Sequence, residues 1–249
     1  MKSNIKLTLQ YDGTDFNGWQ IQSGHLSART VQGELSQALN RIVEEPVTLI
    51  GAGRTDSGVH ARGQVASFCT SRPIPEDKWP AALNSILPED IRVIAAEEVP
   101  PAFHAQYDAV KKMYCYYLLN TEHEDVFLRR YSLHCRHTLD MDNMSRAAAM
   151  LLGTRNFKSF CASGSSIGGF ERSIYQADLF PQGNTLVFRI TADGFLYRMV
   201  RTIVGTLLEI GRGKQPSEWM EQVIASHDRG KAGPTAPPQG LVLEKVWYS

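Results

Sequence analysis

The 249-residue sequence has no apolar run approaching the roughly 18 residues that a membrane-spanning helix requires. Its first residues, Met1 to Tyr11, have neither the apolar core nor the small-residue cleavage site of a secretory leader. Cysteine is scarce. The four present, Cys69, Cys115, Cys135 and Cys161, follow no paired or metal-ligand spacing, which argues against a disulfide framework and against a zinc-type site. Reduced thiols and a cytoplasmic location are the expectation. Net charge is absent as well, because 26 Lys and Arg residues balance 26 Asp and Glu residues. Nucleic-acid binders usually carry a basic excess, so bulk composition weighs mildly against such a partner. The composition also lacks the polar bias of a disordered chain: 43% hydrophobic and 21% charged residues are values of folded proteins. A chain this long can bury one large core or two ordinary ones.

Local charge is uneven. Arg198 to Lys214 holds four cationic residues (Arg198, Arg201, Arg212, Lys214) against Glu209 alone, and Arg129 to His137 holds Arg129, Arg130 and Arg136 with no acid. Ser85 to Val99 is the reverse, with Glu89, Asp90, Glu97 and Glu98 against Arg92. Charge runs of this kind often mark no more than a solvated face.

Ile5, Leu7, Leu9 and Tyr11 alternate with Lys6, Thr8 and Gln10, the period of a half-buried strand, and Asp12-Gly13 stops it. Val31, Leu35, Ala38, Leu39, Ile42 and Val43 then follow helical spacing behind Thr30 as N-cap and before Pro46. Strands are expected at Val47 to Ile50, Gly63 to Cys69 and Ile91 to Val99, with a helix near Asp77 to Ile86. The second half repeats this grammar: a strand at Met113 to Leu119, a helix at Met141 to Leu152, and a hairpin of Ile174 to Phe180 with Thr185 to Thr191. Helices at Met199 to Ile210 and Trp219 to Ile224 and a closing strand at Leu241 to Tyr248 complete it. Two β-α-β-β-α-β halves make a duplicated α+β architecture with a mainly antiparallel sheet. The halves are expected at 1–105 and 106–249, with a linker near Ala102 to Val110. Gly230 to Gln239, rich in Pro and Gly, reads as a surface loop.

The densest cluster of polar chemistry is Gly51-Ala-Gly-Arg-Thr-Asp-Ser-Gly-Val-His-Ala61, where glycines allow sharp turning and Arg54, Asp56 and His60 ride on the turn. Taken alone, Thr-Asp-Ser-Gly is also ordinary turn chemistry.

Further segments join this one in order: Tyr11-Asp-Gly-Thr-Asp-Phe-Asn-Gly-Trp-Gln20, Thr30-Val-Gln, Gly53-Arg-Thr-Asp-Ser-Gly-Val-His60, Phe103-His-Ala105, Lys112-Met-Tyr-Cys-Tyr116, Leu152-Gly153, Phe157-Lys-Ser-Phe160 and Met199-Val-Arg-Thr-Ile-Val-Gly205. The set resembles the tRNA pseudouridine synthase A family over nearly the whole chain. The resemblance implies two RRM-like (ferredoxin-like) halves sharing one sheet around a central cleft. It implies conversion of uridine to pseudouridine at positions 38 to 40 of the tRNA anticodon arm, without metal or cofactor, by a homodimer.

Residue by residue, Asp56 matches the family nucleophile. Both C6 of the base and C1′ of the sugar stay open as its point of attack. A carboxylate in a closed cleft needs a nearby cation to stay ionised, and Arg201 is the matching residue. Tyr114 matches the active-site tyrosine that stacks on the base. Arg54 matches the residue thought to occupy the space of the extruded base, and with Arg198 and Lys112 it makes up the candidate RNA contacts. Met113 stands where the family commonly has a basic residue, which weakens any phosphate contact at that position. His60 is taken as structural. Two rival classes are a non-catalytic RNA-binding module, whose RNP1 pattern is not apparent, and a glycosidase with a carboxylate nucleophile, whose second carboxylate does not stand out.

Overall fold

A computed structural model describes residues 2–22, 28–164 and 169–248. The chain forms two compact units, one of Met1–Val110 with Val242–Ser249 and the other of Lys111–Leu241. The sequence grouping of 106–249 therefore differs from the contacts at its far end.

In the first unit, β1 (Ser3–Tyr11) lies between β3 (His60–Thr70) and β4 (Ile91–Val99), antiparallel to both. The short β2 (Ile50–Gly51) pairs with β3 antiparallel, so the order is β4-β1-β3-β2, as expected of a β-α-β-β-α-β half. The strand expected from Val47 is reduced to two residues. Pro46 has no N–H to give, and the Val47 N–H goes to Asn40 Oδ1 at 3.1 Å, not to a ladder partner.

Helix α1 (Val31–Val43) begins at Thr30, whose hydroxyl accepts from Gly33 N, and ends at Glu44 in the left-handed region. Its buried Leu35 and Leu39 belong to the same core as Leu7 and Leu9 of β1. The helix expected near Asp77 is a 3₁₀ turn (Glu76–Lys78) leading into α2 (Trp79–Asn84), with Pro80 in the first turn where a missing N–H costs nothing. Trp79, fully buried, meets Phe68 edge-on at 5.2 Å. Strand β10 (Leu241–Tyr248) completes the unit by pairing with β3 in parallel, Val242 to His60 and Leu243 to Ala61.

In the second unit, β5 (Ala109–Leu119) pairs with β9 (Thr185–Ala192), β9 with β8 (Glu171–Gln182) and β8 with β7 (Gly153–Asn156), all antiparallel. The two-residue β6 (Leu133–His134) runs parallel to the end of β5. The order β5-β9-β8 repeats the β1-β3-β2 order of the first unit. The α+β class and the predominance of antiparallel pairing are thus as expected. Helix α3 (Met141–Ala149) stops three residues short of Leu152, because the N–H groups of Met150, Leu151 and Leu152 each turn to the carbonyl three residues back. Helices α4 (Met199–Gly211) and α5 (Trp219–Ser226) follow the hairpin. No described helix is long and apolar enough to cross a membrane.

Candidate active site

The loop between β2 and β3 carries Asp56, and the segment after β1 fastens it. Trp19 N–H donates to Thr55 O (3.1 Å), Gly58 N–H to Phe16 O (3.3 Å) and Ser57 Oγ to Phe16 O (3.1 Å). Within the loop, Val59 N–H closes a turn onto Asp56 O at 3.1 Å. The Thr55 and Tyr11 hydroxyls meet at 2.8 Å, and the fully buried Gln64 amide donates to Gly53 O at 2.9 Å. Gly13 passes so close beneath that a Cβ there would lie 2.0 Å from Val59 O. Burial drives the Tyr11 phenol up to about 12, which keeps it neutral and able to donate.

On this platform Thr55 is buried, Asp56 half-buried and Arg54 exposed. His60 is 4% exposed; its Nδ1 accepts from Gly13 N–H at 3.0 Å and lies 3.1 Å from Asp12 Oδ1. These contacts tie the His60 ring to the segment after β1. Arg29 braces the same segment through a two-point pair with Asp90 (2.6 and 2.9 Å), its guanidinium 4.2 Å from the Phe16 ring centre.

In the second unit, Tyr114 on β5 is 7% exposed and meets the Phe195 ring edge-on at 5.1 Å. Two residues along the strand, Tyr116 is fully buried and donates to Pro237 O at 2.7 Å. Burial raises its phenol strongly, and the nearby Arg201 charge opposes that rise. Arg201, half-buried on α4, donates through Nε to Ala236 O (2.8 Å), while Ala236 N–H returns a bond to Arg201 O (3.0 Å).

The Pro/Gly-rich stretch is therefore more than a surface loop. Gly233 and Ala236 are buried, Gly233 N–H donates to Thr206 Oγ1 at 3.0 Å, and a Cβ on Gly205 would fall 1.6 Å from Pro234 O. It grips α4 and holds the Arg201 head. Nothing in its composition pointed to this; the nearest sequence signal was the small residue Gly205 on the inner face of a helix.

Arg198 is exposed, in the left-handed conformation at the start of α4, over the Tyr197 ring at 4.9 Å. Lys112 is half-buried, and its ammonium is pushed below the usual lysine range by burial and by Arg172. The basic run of α4 is partly neutralised, since Arg212 and Lys214 both reach Glu209, at 3.3 and 3.1 Å. Sequence reasoning also missed Phe195, whose ring meets Tyr114, and Gln64, whose amide donates to Gly53 O. Among the described residues no group of three or more His, Cys, Asp or Glu side chains is arranged to hold a metal ion.

The family model described as tRNA pseudouridine synthase matches residues 8–108 and 147–249. The chain belongs to the tRNA pseudouridine synthase family. It is an isomerase of RNA modification. It is 52% identical to the tRNA pseudouridine synthase A of Moorella thermoacetica over 98% of this chain and 99% of that one. The corresponding protein of Syntrophomonas wolfei is 49% identical over 99% and 98%, and that of Halalkalibacterium halodurans 49% identical over 96% and 90%. A solved Cbf5-Nop10-Gar1 complex superposes with a TM-score of 0.38 at 13% identity, covering 82% of this chain and 45% of that chain, a likeness too loose to bear on the fold.

Proposed function

We propose that this enzyme converts uridine to pseudouridine at positions 38 to 40 of the tRNA anticodon arm, with Asp56 as nucleophile and with no metal or cofactor. The observation that carries this reading is the Asp56 loop: a half-buried carboxylate on a backbone fastened at Thr55, Ser57 and Gly58. A fixed carboxylate can attach to the nucleoside and leave again. Attack at C6 of the base or at C1′ of the sugar frees the N1–C1′ bond, the base turns, C5 bonds to C1′, and the C5 proton is lost. Tyr114, a buried ring on a strand, is suited to stack on the base, and its hydroxyl to relay that proton. Arg201 is assigned as the cation that keeps the nucleophile ionised. Exposed Arg54 is assigned to the space left by the extruded base, and Arg198 and Lys112 to phosphates. The enzyme works as a cytoplasmic homodimer on tRNA in this reading.

The test is tritium release from C5-labelled uridine in tRNA, which an RNA-binding module or a glycosidase does not produce. Release by the wild type and none by Asp56→Asn, with tRNA binding retained, supports the reading; release by Asp56→Asn at even a tenth of the wild-type rate overturns the nucleophile. Arg201→Met should cripple turnover, and the double variant should lose far less than the two single losses multiplied, because residues acting as one unit fail together.

A further inference from the structure

The segment that holds Arg201 is itself held from the sheet. Arg201 Nε donates to Ala236 O at 2.8 Å, and the next carbonyl along the chain, Pro237 O, accepts from the Tyr116 hydroxyl at 2.7 Å. Only φ and ψ of Pro237 lie between these two carbonyls. The Pro237 ring locks φ, here −55°, and Pro238 behind it confines ψ, here 152°, to the extended range. The link is therefore stiff, and what fixes Pro237 O also fixes the direction of Ala236 O. Tyr116 is fully buried on β5, and burial keeps its hydroxyl protonated and able to donate. The backbone at Gly240 lies against its ring, so close that a Cβ there would stand 2.7 Å from Cε1. Packing this tight leaves the hydroxyl little freedom of aim.

We propose that Tyr116 is a positioning residue for the reaction: its hydroxyl, acting through the Pro237 and Ala236 carbonyls, aims the Arg201 guanidinium. This rests on the charge-supplying role assigned to Arg201 above and adds Tyr116 and the Pro237-Pro238 pair to the machinery. Tyr114 and Tyr116 are two apart on β5 and share one of its faces. One strand thus carries both the ring assigned to the base and the anchor of the cation. Aim matters because a displacement of about 1 Å in a group that acts on the reacting centre can cost on the order of 100-fold in rate.

The experiment uses the full-length enzyme in excess over tRNA carrying C5-tritiated uridine, with tRNA affinity and amide hydrogen exchange measured alongside. Tyr116→Phe keeps the ring and removes the hydroxyl. It should slow single-turnover release about tenfold at unchanged affinity, the scale of one buried hydrogen bond. The Ala236 amide, which donates to Arg201 O, should exchange faster while the amides of β8 and β9 keep their protection. In an Arg201→Met background the same change should cost less than about twofold, because the group it aims is gone. Pro237→Ala, at an exposed position, keeps both carbonyls, frees φ and should slow release about threefold. The proposal is overturned if Tyr116→Phe releases tritium at the wild-type rate, if it loses affinity in step with rate, or if it costs the same tenfold beside Arg201→Met, as a purely structural tyrosine does. Where Arg201→Met is too slow to read, exchange decides: faster exchange confined to the segment around Ala236 supports the proposal, and loss of protection throughout the sheet overturns it. Should Tyr116→Phe not fold, a wild-type rate in Pro237→Ala overturns the proposal and a slowed rate at unchanged affinity supports it. If Arg201→Met is as fast as the wild type, the role assigned to Arg201 fails and the proposal with it; if Arg201→Met is crippled and Tyr116→Phe is not, the positioning alone fails.

Discussion

The Asp56 loop and the Arg201 helix end solve the same problem, holding a charged side chain still, by different means. Around Asp56 the restraint is backbone: carbonyls and N–H groups of 16–19 bond the loop directly, and a glycine at 13 lets the two chains touch. Around Arg201 the restraint is a side chain reaching a loop, with Nε on Ala236 O, while the loop itself is gripped through Gly205. Backbone restraint fixes where the carboxylate root sits. A side-chain bond to a carbonyl fixes the guanidinium itself, as suits the charge-supplying role proposed for Arg201.

The largest expected effect breaks the chemistry and spares the frame: Asp56→Asn should lower the single-turnover rate by about 10³-fold or more with an unchanged melting temperature. Next come the two glycines, where the comparison is sharpest. Gly13→Ala places a methyl against Val59 O and Gly205→Ala one against Pro234 O, and each should cost about 3 kcal/mol or more in denaturant unfolding, since backbone rather than a flexible side chain must move. Equal activity loss from mild, folded forms of both would show that the two restraints matter alike; loss from Gly13→Ala alone would rank the backbone platform first.

A smaller effect comes from the Tyr11 to Thr55 contact. Thr55→Val leaves the buried phenol with a poorer partner and should cost about 1–3 kcal/mol. The same phenol makes a pH prediction. Its folded pKa of about 12 lies above that of an unfolded tyrosine, so the folded chain holds the proton longer. Stability from this group is full below about pH 10 and falls as pH rises towards about 12. Tyr11→Phe should flatten that alkaline loss in urea titrations; an identical alkaline slope would remove Tyr11 as its source. The smallest expected effect is at the N-cap, where Thr30→Ala should cost about 1 kcal/mol by calorimetry without touching either restraint.

Much of the frame was legible in the chain. Alternation at Ile5 to Tyr11 gave a strand with those residues inward, and the Thr30 cap and helical spacing gave α1 almost to the residue. The ordered motifs pointed to the family that the relatives confirm. These features are local: side-chain period and capping act within a few residues, so the chain carries them wherever it folds. What the sequence left open depends on partners far away in the chain. The apolar run at Leu241 to Leu243 marks β10 as a strand and not which strand it joins, and only the folded chain sets it parallel to β3 in the first unit. Composition marks Gly230 to Gln239 as irregular, and only tertiary packing turns it into the grip on α4 that holds Arg201. The alignment of Lys112 with Ala192 and of Ala192 with Ile174 arises the same way, from strand register across three strands, which no local spacing records.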